Sequence, residues 1–121
     1  MYMKKIVIVE DDPSIADMTK LMLERAGFQA AVCDNGREAV DFIKAAKPDL
    51  ILLDVMLPGM DGSAVARDLG KNEDTASIPI IVTSALEESK QLFSGIHQVK
   101  GFCSKPFTIA KLMEAINSVL K

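Results

Sequence analysis

Acidic side chains stand directly after two apolar runs of the sequence. Glu10 and Asp11 follow residues 5–9, and Asp54 follows residues 50–53. Carboxylates that lie close together repel one another, and burial adds a desolvation cost, so such a group needs a compensating positive charge. Oxygen ligands with open coordination positions suit Mg²⁺, which keeps several waters and binds phosphate oxygens. These acids predict a magnesium site if the two runs form neighbouring strands.

Asp54 has the strongest claim to a chemical role. It follows a wholly apolar run, whereas Asp12, the third acid after the first run, precedes Pro13 as a helix N-cap does. A carboxylate can attack a phosphoryl donor and form an acyl phosphate when the charge on the transferred group is neutralised. The hydroxyl of Thr83 and the ammonium of Lys105, which follow later apolar runs, could share this task with the metal. Taken alone, these two residues are also ordinary in loops.

Apolar runs alternate with segments of helical pattern along the whole chain. The runs are Lys5 to Val9, Phe28 to Cys33, Leu50 to Leu53, Ile78 to Val82 and Val99 to Cys103. The first, third and fourth are nearly continuous, which is typical of strands buried on both faces of a parallel sheet. Helices are predicted from Pro13 to a stop at Gly27, from the cap Asn35 to Pro48, from Gly62 to Leu69, from Ala85 to Ile96, and from the cap Thr108 to Leu120.

This alternation predicts an α/β fold with crossover helices on both faces of the sheet. In open sheets of this kind, ligands bind outside the carboxyl ends of the strands, where the strand order reverses. The polar residues named above all follow strands, so they are expected at that edge. No comparable charge follows the second run, which indicates an edge strand.

The composition is that of a globular protein, and the length of 121 residues suits a single domain over residues 1–121. The net charge of -3 argues mildly against nucleic-acid binding, which usually needs a basic surface. The sequence shows neither an apolar stretch long enough to span a membrane nor, at its N-terminus, the apolar h-region typical of a signal peptide. Cys33 and Cys103 lack zinc-ligand spacing and are expected to be buried free thiols of a cytoplasmic protein.

The order of these residues resembles the response-regulator receiver family of two-component signalling. The resemblance runs from Lys4 to about Leu120 and rests on a set of short motifs. The motifs are the acidic pair Glu10-Asp11, Asp54 with Leu57-Pro58-Gly59-Met60-Asp61-Gly62 after it, Thr83-Ser84, and Lys105-Pro106-Phe107. Each motif is weak alone, but their order, with each at a strand end, is highly specific.

The resemblance implies a role for each matching residue. Asp54 corresponds to the phospho-acceptor, which is also a Mg²⁺ ligand. Asp11 corresponds to the acid that binds the metal directly and Glu10 to the acid that usually holds it through water, and Met56 occupies the position whose backbone carbonyl binds the metal. Thr83 corresponds to the switch hydroxyl, Lys105 to the phosphate-contacting lysine, and Phe102 to the switch aromatic that moves inward with the threonine. The Lys105–Pro106 bond is expected to be cis, an isomer nearly confined to X–Pro bonds.

The resemblance also implies the fold and the partners. The fold would be a doubly wound (βα)5, flavodoxin-like three-layer sandwich, whose five-stranded parallel sheet has the order 2-1-3-4-5. A sensor histidine kinase or a histidine phosphotransfer protein would supply the phosphoryl group, and a downstream protein would bind the switched surface. Direct contact with nucleic acid or membrane is not expected. The chain would be a stand-alone receiver or the receiver of a larger regulator or hybrid kinase. It would be no enzyme beyond assisting its own phosphorylation and dephosphorylation.

Three other classes of protein share some of these features. A phosphatase of the haloacid-dehalogenase type also uses an Asp nucleophile and Mg²⁺, but it needs a second acid two residues later, where this chain has Met56. A receiver-like module that binds partners without phosphorylation would not need the complete acidic, hydroxyl and lysine set. A flavodoxin-type cofactor binder would need a phosphate-binding loop after the first strand, and Glu10 and Asp11 would repel a phosphate there.

Overall fold

The computed structural model describes residues 3–58, 60–84 and 91–120. Within these residues, strands and helices follow one another as the apolar runs predict. The strands are β1 (Lys5–Val9), β2 (Gln29–Cys33), β3 (Leu50–Asp54), β4 (Ile80–Ser84) and β5 (Val99–Ser104). The helices are α1 (Pro13–Arg25), α2 (Gly36–Ala46), α3 (Gly62–Gly70) and α4 (Ile109–Leu120).

The strands form one parallel sheet in the order β2-β1-β3-β4-β5. This confirms the predicted strand order and the edge position of β2. The order reverses between β1 and β3, which pair in register from Ile6 opposite Leu50 to Val9 opposite Leu53. The residues directly after Val9 and Leu53 therefore emerge side by side at the carboxyl edge of the sheet.

Two apolar cores lie on opposite faces of the sheet, because successive strand residues point to opposite sides. On one face, Val7, Ile51 and Val82 pack with residues of α2 and α3, including Ile43 and Leu69. The other face packs against α1 and α4 through Ile6, Leu52, Ile81, Leu23, Leu112 and Ile116. The two cores make the three layers that the sequence predicts.

Side-chain caps begin the helices close to the predicted positions. The Asp12 carboxylate accepts hydrogen bonds from the backbone N–H groups of Ser14 and Ile15. Asn35 accepts from the N–H of Glu38, and its side-chain amide donates to the Glu38 carboxylate at 3.0 Å. Such caps satisfy N–H groups that have no partner inside the helix. They fix where each helix leaves the sheet edge.

The prediction of a helix from Ala85 to Ile96 is wrong for residues 91–96, the part of this segment that the structure describes. Residues 85–90 lie outside the described residues, and residues 91–93 form a single 3₁₀ turn. Gly95 follows with φ of 81°, a left-handed conformation that ends helical geometry. The apolar stripe of this segment is thin, since Phe93 is buried but Leu92 is exposed. No helix among the described residues is long and apolar enough to cross a membrane.

Candidate functional site

Three acidic residues meet at the carboxyl ends of β1 and β3. Glu10, Asp11 and Asp54 each offer a carboxylate oxygen, and these oxygens all lie within 4.8 Å of one another. Glu10 and Asp54 are buried, whereas Asp11 is exposed. The parallel register of β1 with β3 produces this cluster, because it aligns the ends of the two strands. The three acids therefore lie close together, as the sequence predicts.

Lys105 lies between the two buried acids. Its ammonium donates a hydrogen bond to Glu10 Oε1 at 2.5 Å and lies 3.3 Å from Asp54 Oδ1. Its backbone N–H donates to the carbonyl of Ser84 at 2.8 Å, which holds the residue beside the end of β4. The Lys105–Pro106 peptide bond is cis. The lysine thus supplies one positive charge to a group of three acids.

The Glu10 carboxyl is held in a partly unfavourable environment. Burial raises its pKa above the ordinary glutamate value, and the nearby charge of Asp54 raises it further. The hydrogen bond from Lys105 lowers the pKa, and so does the backbone N–H of Asp12, which donates to Oε2 at 3.2 Å. A single lysine only partly offsets the combined cost of burial and repulsion, which leaves the site receptive to another cation.

Thr83 and Met56 flank the acidic cluster. Thr83 is buried on β4 and is the register partner of Asp54 on β3, so the two residues lie at the same level of the sheet. Met56 comes two residues after Asp54, and 67% of its surface is exposed. Its exposed side chain agrees with a role through the backbone alone.

Phe102 lies outside the acidic cluster. It pairs with Val82, one residue before Thr83, and 37% of its surface is exposed. Its ring packs edge-on against Phe93, with 6.2 Å between ring centroids and 73° between ring planes. The structure thus brings together Glu10, Asp11, Asp54, Thr83 and Lys105, whereas the aromatic residue lies at the surface.

Two glycines near the site make close backbone approaches that were not predicted from the sequence. An added Cβ at Gly62 would lie 2.3 Å from the Asp54 carbonyl oxygen, and one at Gly36 would lie 2.1 Å from the Met60 carbonyl oxygen. Both are the first residue of a helix, α3 and α2 respectively. Each of these helices already has a side-chain cap at its start, and glycine is a poor helix former. A glycine at the first helical position therefore has another cause, and this position was the available sequence signal.

The donor set fits a small hard cation. Its side-chain ligands are all carboxylates, two of them buried and one exposed toward the solvent. Mg²⁺ prefers oxygen ligands and is commonly held by one or two carboxylates, with waters completing its coordination. A site of this kind needs an open side, which the exposed Asp11 provides.

Comparisons with known proteins agree with this geometry. The family model described as "Response regulator receiver domain" matches residues 6–117. The chain belongs to this family. Protein PilH of Pseudomonas aeruginosa is 34% identical over 119 residues, which are 98% of each protein. The receiver is thus a signalling module of two-component systems, a class distinct from ordinary enzymes.

Solved receiver structures are similar over nearly the whole chain. Chemotaxis protein CheY4 of Vibrio cholerae has a TM-score of 0.91 and 28% identity, covering 98% of this chain and 100% of that one. The receiver domain of sensor histidine kinase PA1611 from Pseudomonas aeruginosa has a TM-score of 0.89 and 27% identity, with 98% of each chain covered. That structure has a magnesium ion coordinated in its active-site cleft.

The receiver spans only about half the length of several curated relatives that it matches. PilH differs from these, since the match covers 98% of that protein. Both a protein that consists of a receiver and longer proteins that contain one are thus among these relatives.

Proposed function

We propose that this receiver accepts a phosphoryl group on Asp54 with Mg²⁺ bound beside it. The observation that carries the proposal is the meeting of buried Asp54 with Glu10, Asp11 and the ammonium of Lys105. The three carboxylates and the carbonyl of Met56 would hold the metal. When bound, Mg²⁺ would neutralise charge on the transferred group.

The reaction requires little of the protein beyond placing these groups. A carboxylate oxygen of Asp54 forms a bond to phosphorus, and the bond from phosphorus to the donor's imidazole nitrogen breaks. The electron pair of that bond stays on the nitrogen. Lys105 now contacts both Glu10 and Asp54, so its ammonium is within reach of the new phosphoryl oxygens. Its positive charge would stabilise the negative charge on the phosphoryl oxygens during the transfer.

The switch would run from Thr83 to Phe102. The register of Thr83 with Asp54 supports a hydrogen bond from the threonine hydroxyl to a phosphoryl oxygen. Phe102 would then leave its edge contact with Phe93 and turn inward. The surface affected is a groove of about 680 Å³ lined by Gln91, Phe93, Ser94, Gly95, Ile96, Val99 and Phe102. A downstream protein would read the state of this surface.

The remaining assignments follow from the family and from the chemistry of the site. The donor would be a sensor histidine kinase or a histidine phosphotransfer protein, and the compartment would be the cytoplasm. We expect no direct contact with nucleic acid or membrane. Residues 1–121 would form one receiver domain that catalyses only its own phosphorylation and dephosphorylation.

The test is phosphorylation by a small-molecule phosphodonor in the presence of Mg²⁺, followed by intact-protein mass spectrometry. The wild type should gain one phosphate, and Asp54→Asn should gain none. Asp74→Asn is a matched control, because it makes the same change at an exposed aspartate between α3 and β4, before the start of β4 and away from the carboxyl edge of the sheet. The assignment is wrong if Asp54→Asn accepts phosphate as readily as the wild type. Removing Mg²⁺ with a chelator should slow the reaction of the wild type.

A further inference from the structure

Residues 33–36 run from the last residue of β2 to the first residue of α2. They contact both loops at the acidic cluster, the one after β1 and the one after β3. The Cys33 carbonyl accepts a hydrogen bond from the backbone N–H of Glu10 at 3.0 Å. Three residues later, the N–H of Gly36 lies 3.4 Å from the carbonyl oxygen of Pro58, which follows Asp54 in the chain. None of residues 33–36 belongs to the acidic cluster. The segment is nevertheless packed against both sides of it.

Gly36 makes the closest of these approaches. A Cβ at this position would lie 2.1 Å from the Met60 carbonyl oxygen and 3.0 Å from its carbonyl carbon. The φ of Gly36 is outside the left-handed region, so the backbone conformation itself would accept alanine. The glycine is therefore required by space, since the carbonyl group and the Cβ of Met60 both oppose a side chain there.

We propose that Gly36 positions the metal site by supporting the loop after Asp54. This inference rests on the proposed function and adds a residue to it. The supported loop comprises residues 55–58 and 60–61, and it contains the carbonyl of Met56. At its far end, Gly62 donates its N–H to the Val55 carbonyl at 2.8 Å. The loop is thus held by Gly62 next to the acceptor and by Gly36 from a separate helix.

A methyl group at Gly36 would move the loop more than the helix. Carbon and oxygen atoms in non-bonded contact normally lie about 3.3 Å apart or more, so the two backbones would have to separate by roughly 1 Å. Helix α2 is anchored by Ala39 and Ile43, which are fully buried. Val55 anchors the start of the loop in the core, whereas the part that faces Gly36 is anchored by the partly buried side chains of Leu57 and Met60. Asp54 itself is held within β3, which pairs on both edges.

The expected result is a specific loss of metal affinity. Groups that orient metal ligands without binding the metal typically change metal affinity about 10–100-fold when altered. Gly36→Ala should therefore bind Mg²⁺ about tenfold more weakly than the wild type. The phosphorylation rate at saturating Mg²⁺ should change much less, because Asp54 and Lys105 keep their places.

The experiment is a calorimetric titration with Mg²⁺ alone, repeated as the Mg²⁺ dependence of phosphorylation. Gly70→Ala is the matched control, because a Cβ there would meet only an ordinary 3.6 Å contact with Gln98 Oε1. The control should bind Mg²⁺ like the wild type. If the wild type binds and Gly36→Ala binds equally well, the inference is overturned. If the wild type itself does not bind Mg²⁺, the proposed metal site fails and the inference fails with it.

A measurement on the wild type covers the case in which Gly36→Ala does not fold. During Mg²⁺ titration followed by amide NMR, the Gly36 resonance should shift with the same midpoint as Val55. The Gly70 resonance should not shift. A Gly36 resonance that stays fixed while Val55 moves would contradict the proposed support.

Discussion

The ammonium of Lys105 donates to the buried carboxylate of Glu10 at 2.5 Å, although the two residues are 95 positions apart in the sequence. The same ammonium lies 3.3 Å from Asp54 Oδ1. Without a metal, the lysine is the cation that faces both buried acids. It would therefore compete with Mg²⁺ for the Glu10 carboxylate, even though it would assist phosphoryl transfer once the metal is bound.

Lys105→Met should separate these two effects. Mg²⁺ binding should become several-fold tighter because a competing positive charge is removed, while phosphorylation of Asp54 should slow by at least about tenfold because a charge-stabilising contact is lost. Calorimetric titration with Mg²⁺ and a phosphorylation time course measure the two effects. Lys111→Met, an exposed lysine of α4, controls for the change in net charge. Weaker Mg²⁺ binding by Lys105→Met would contradict the competition.

The sequence predicted the sheet and the acidic cluster for one physical reason. Continuous apolar runs such as Leu50–Leu53 are characteristic of doubly buried strands, and the polar residue after each run must emerge at the sheet edge. The direct Lys105–Glu10 pair was not predicted, because residue types do not show which acid a lysine meets. The Gly36–Met60 contact was missed for a similar reason, since it joins backbone groups that have no side-chain pattern.

Asp61 should make the stability of the fold depend on pH in the acid range. The pKa of its carboxyl is lowered by the Ser63 hydroxyl, which donates at 2.6 Å, and by the Ala64 N–H at 3.0 Å. An acid with a depressed folded pKa stabilises the fold above its unfolded pKa. That contribution is lost as pH falls through the folded pKa. Urea unfolding of wild type and Asp61→Asn, compared from pH 7 downward, should show the difference shrinking below about pH 4.

Asp61→Ala tests the cap itself in the same experiment. Removing an N-cap side chain costs about 1 kcal/mol of stability, so this variant should unfold at lower urea at pH 7. Asp61→Asn should lose less, because its side-chain oxygen can still accept from Ala64. Equal loss in the two variants at pH 7 would show that the charge, and not the hydrogen bond, stabilises the start of α3.

Lys47 ends α2 in a left-handed conformation that favours glycine. Its φ is 50° and its ψ is 58°, and its N–H donates to the Ile43 carbonyl. A non-glycine residue in this conformation costs about 1 kcal/mol, partly offset by the greater freedom of glycine in the unfolded chain. Lys47→Gly should therefore raise the free energy of unfolding by about 0.5 kcal/mol. Lys47→Ala should give no such gain, and a gain equal to that of Lys47→Gly would mean that the lysine side chain is the cause.

Gln98, directly before β5, donates hydrogen bonds to two backbone carbonyls, and its replacement by glutamate should destabilise the fold. Its side-chain nitrogen donates to the Thr75 carbonyl at 2.6 Å and to the Ile78 carbonyl at 2.8 Å. Its buried Oε1 has no hydrogen-bond partner among the described residues. The orientation of the amide is settled by these contacts, because a flipped amide would place its oxygen against two carbonyl oxygens.

Gln98→Glu keeps the shape of the side chain and removes both donors. A buried carboxylate would then face two carbonyls, so we expect a loss of at least about 2 kcal/mol at pH 7 in urea unfolding. Because burial and the carbonyls disfavour the charged form, the loss should be smaller at pH 5, where the introduced acid is more readily protonated and can donate one hydrogen bond. Gln98→Met is the apolar control and should lose stability without this pH dependence. A Gln98→Glu protein as stable as the wild type at pH 7 would mean that the two carbonyls do not depend on these donors.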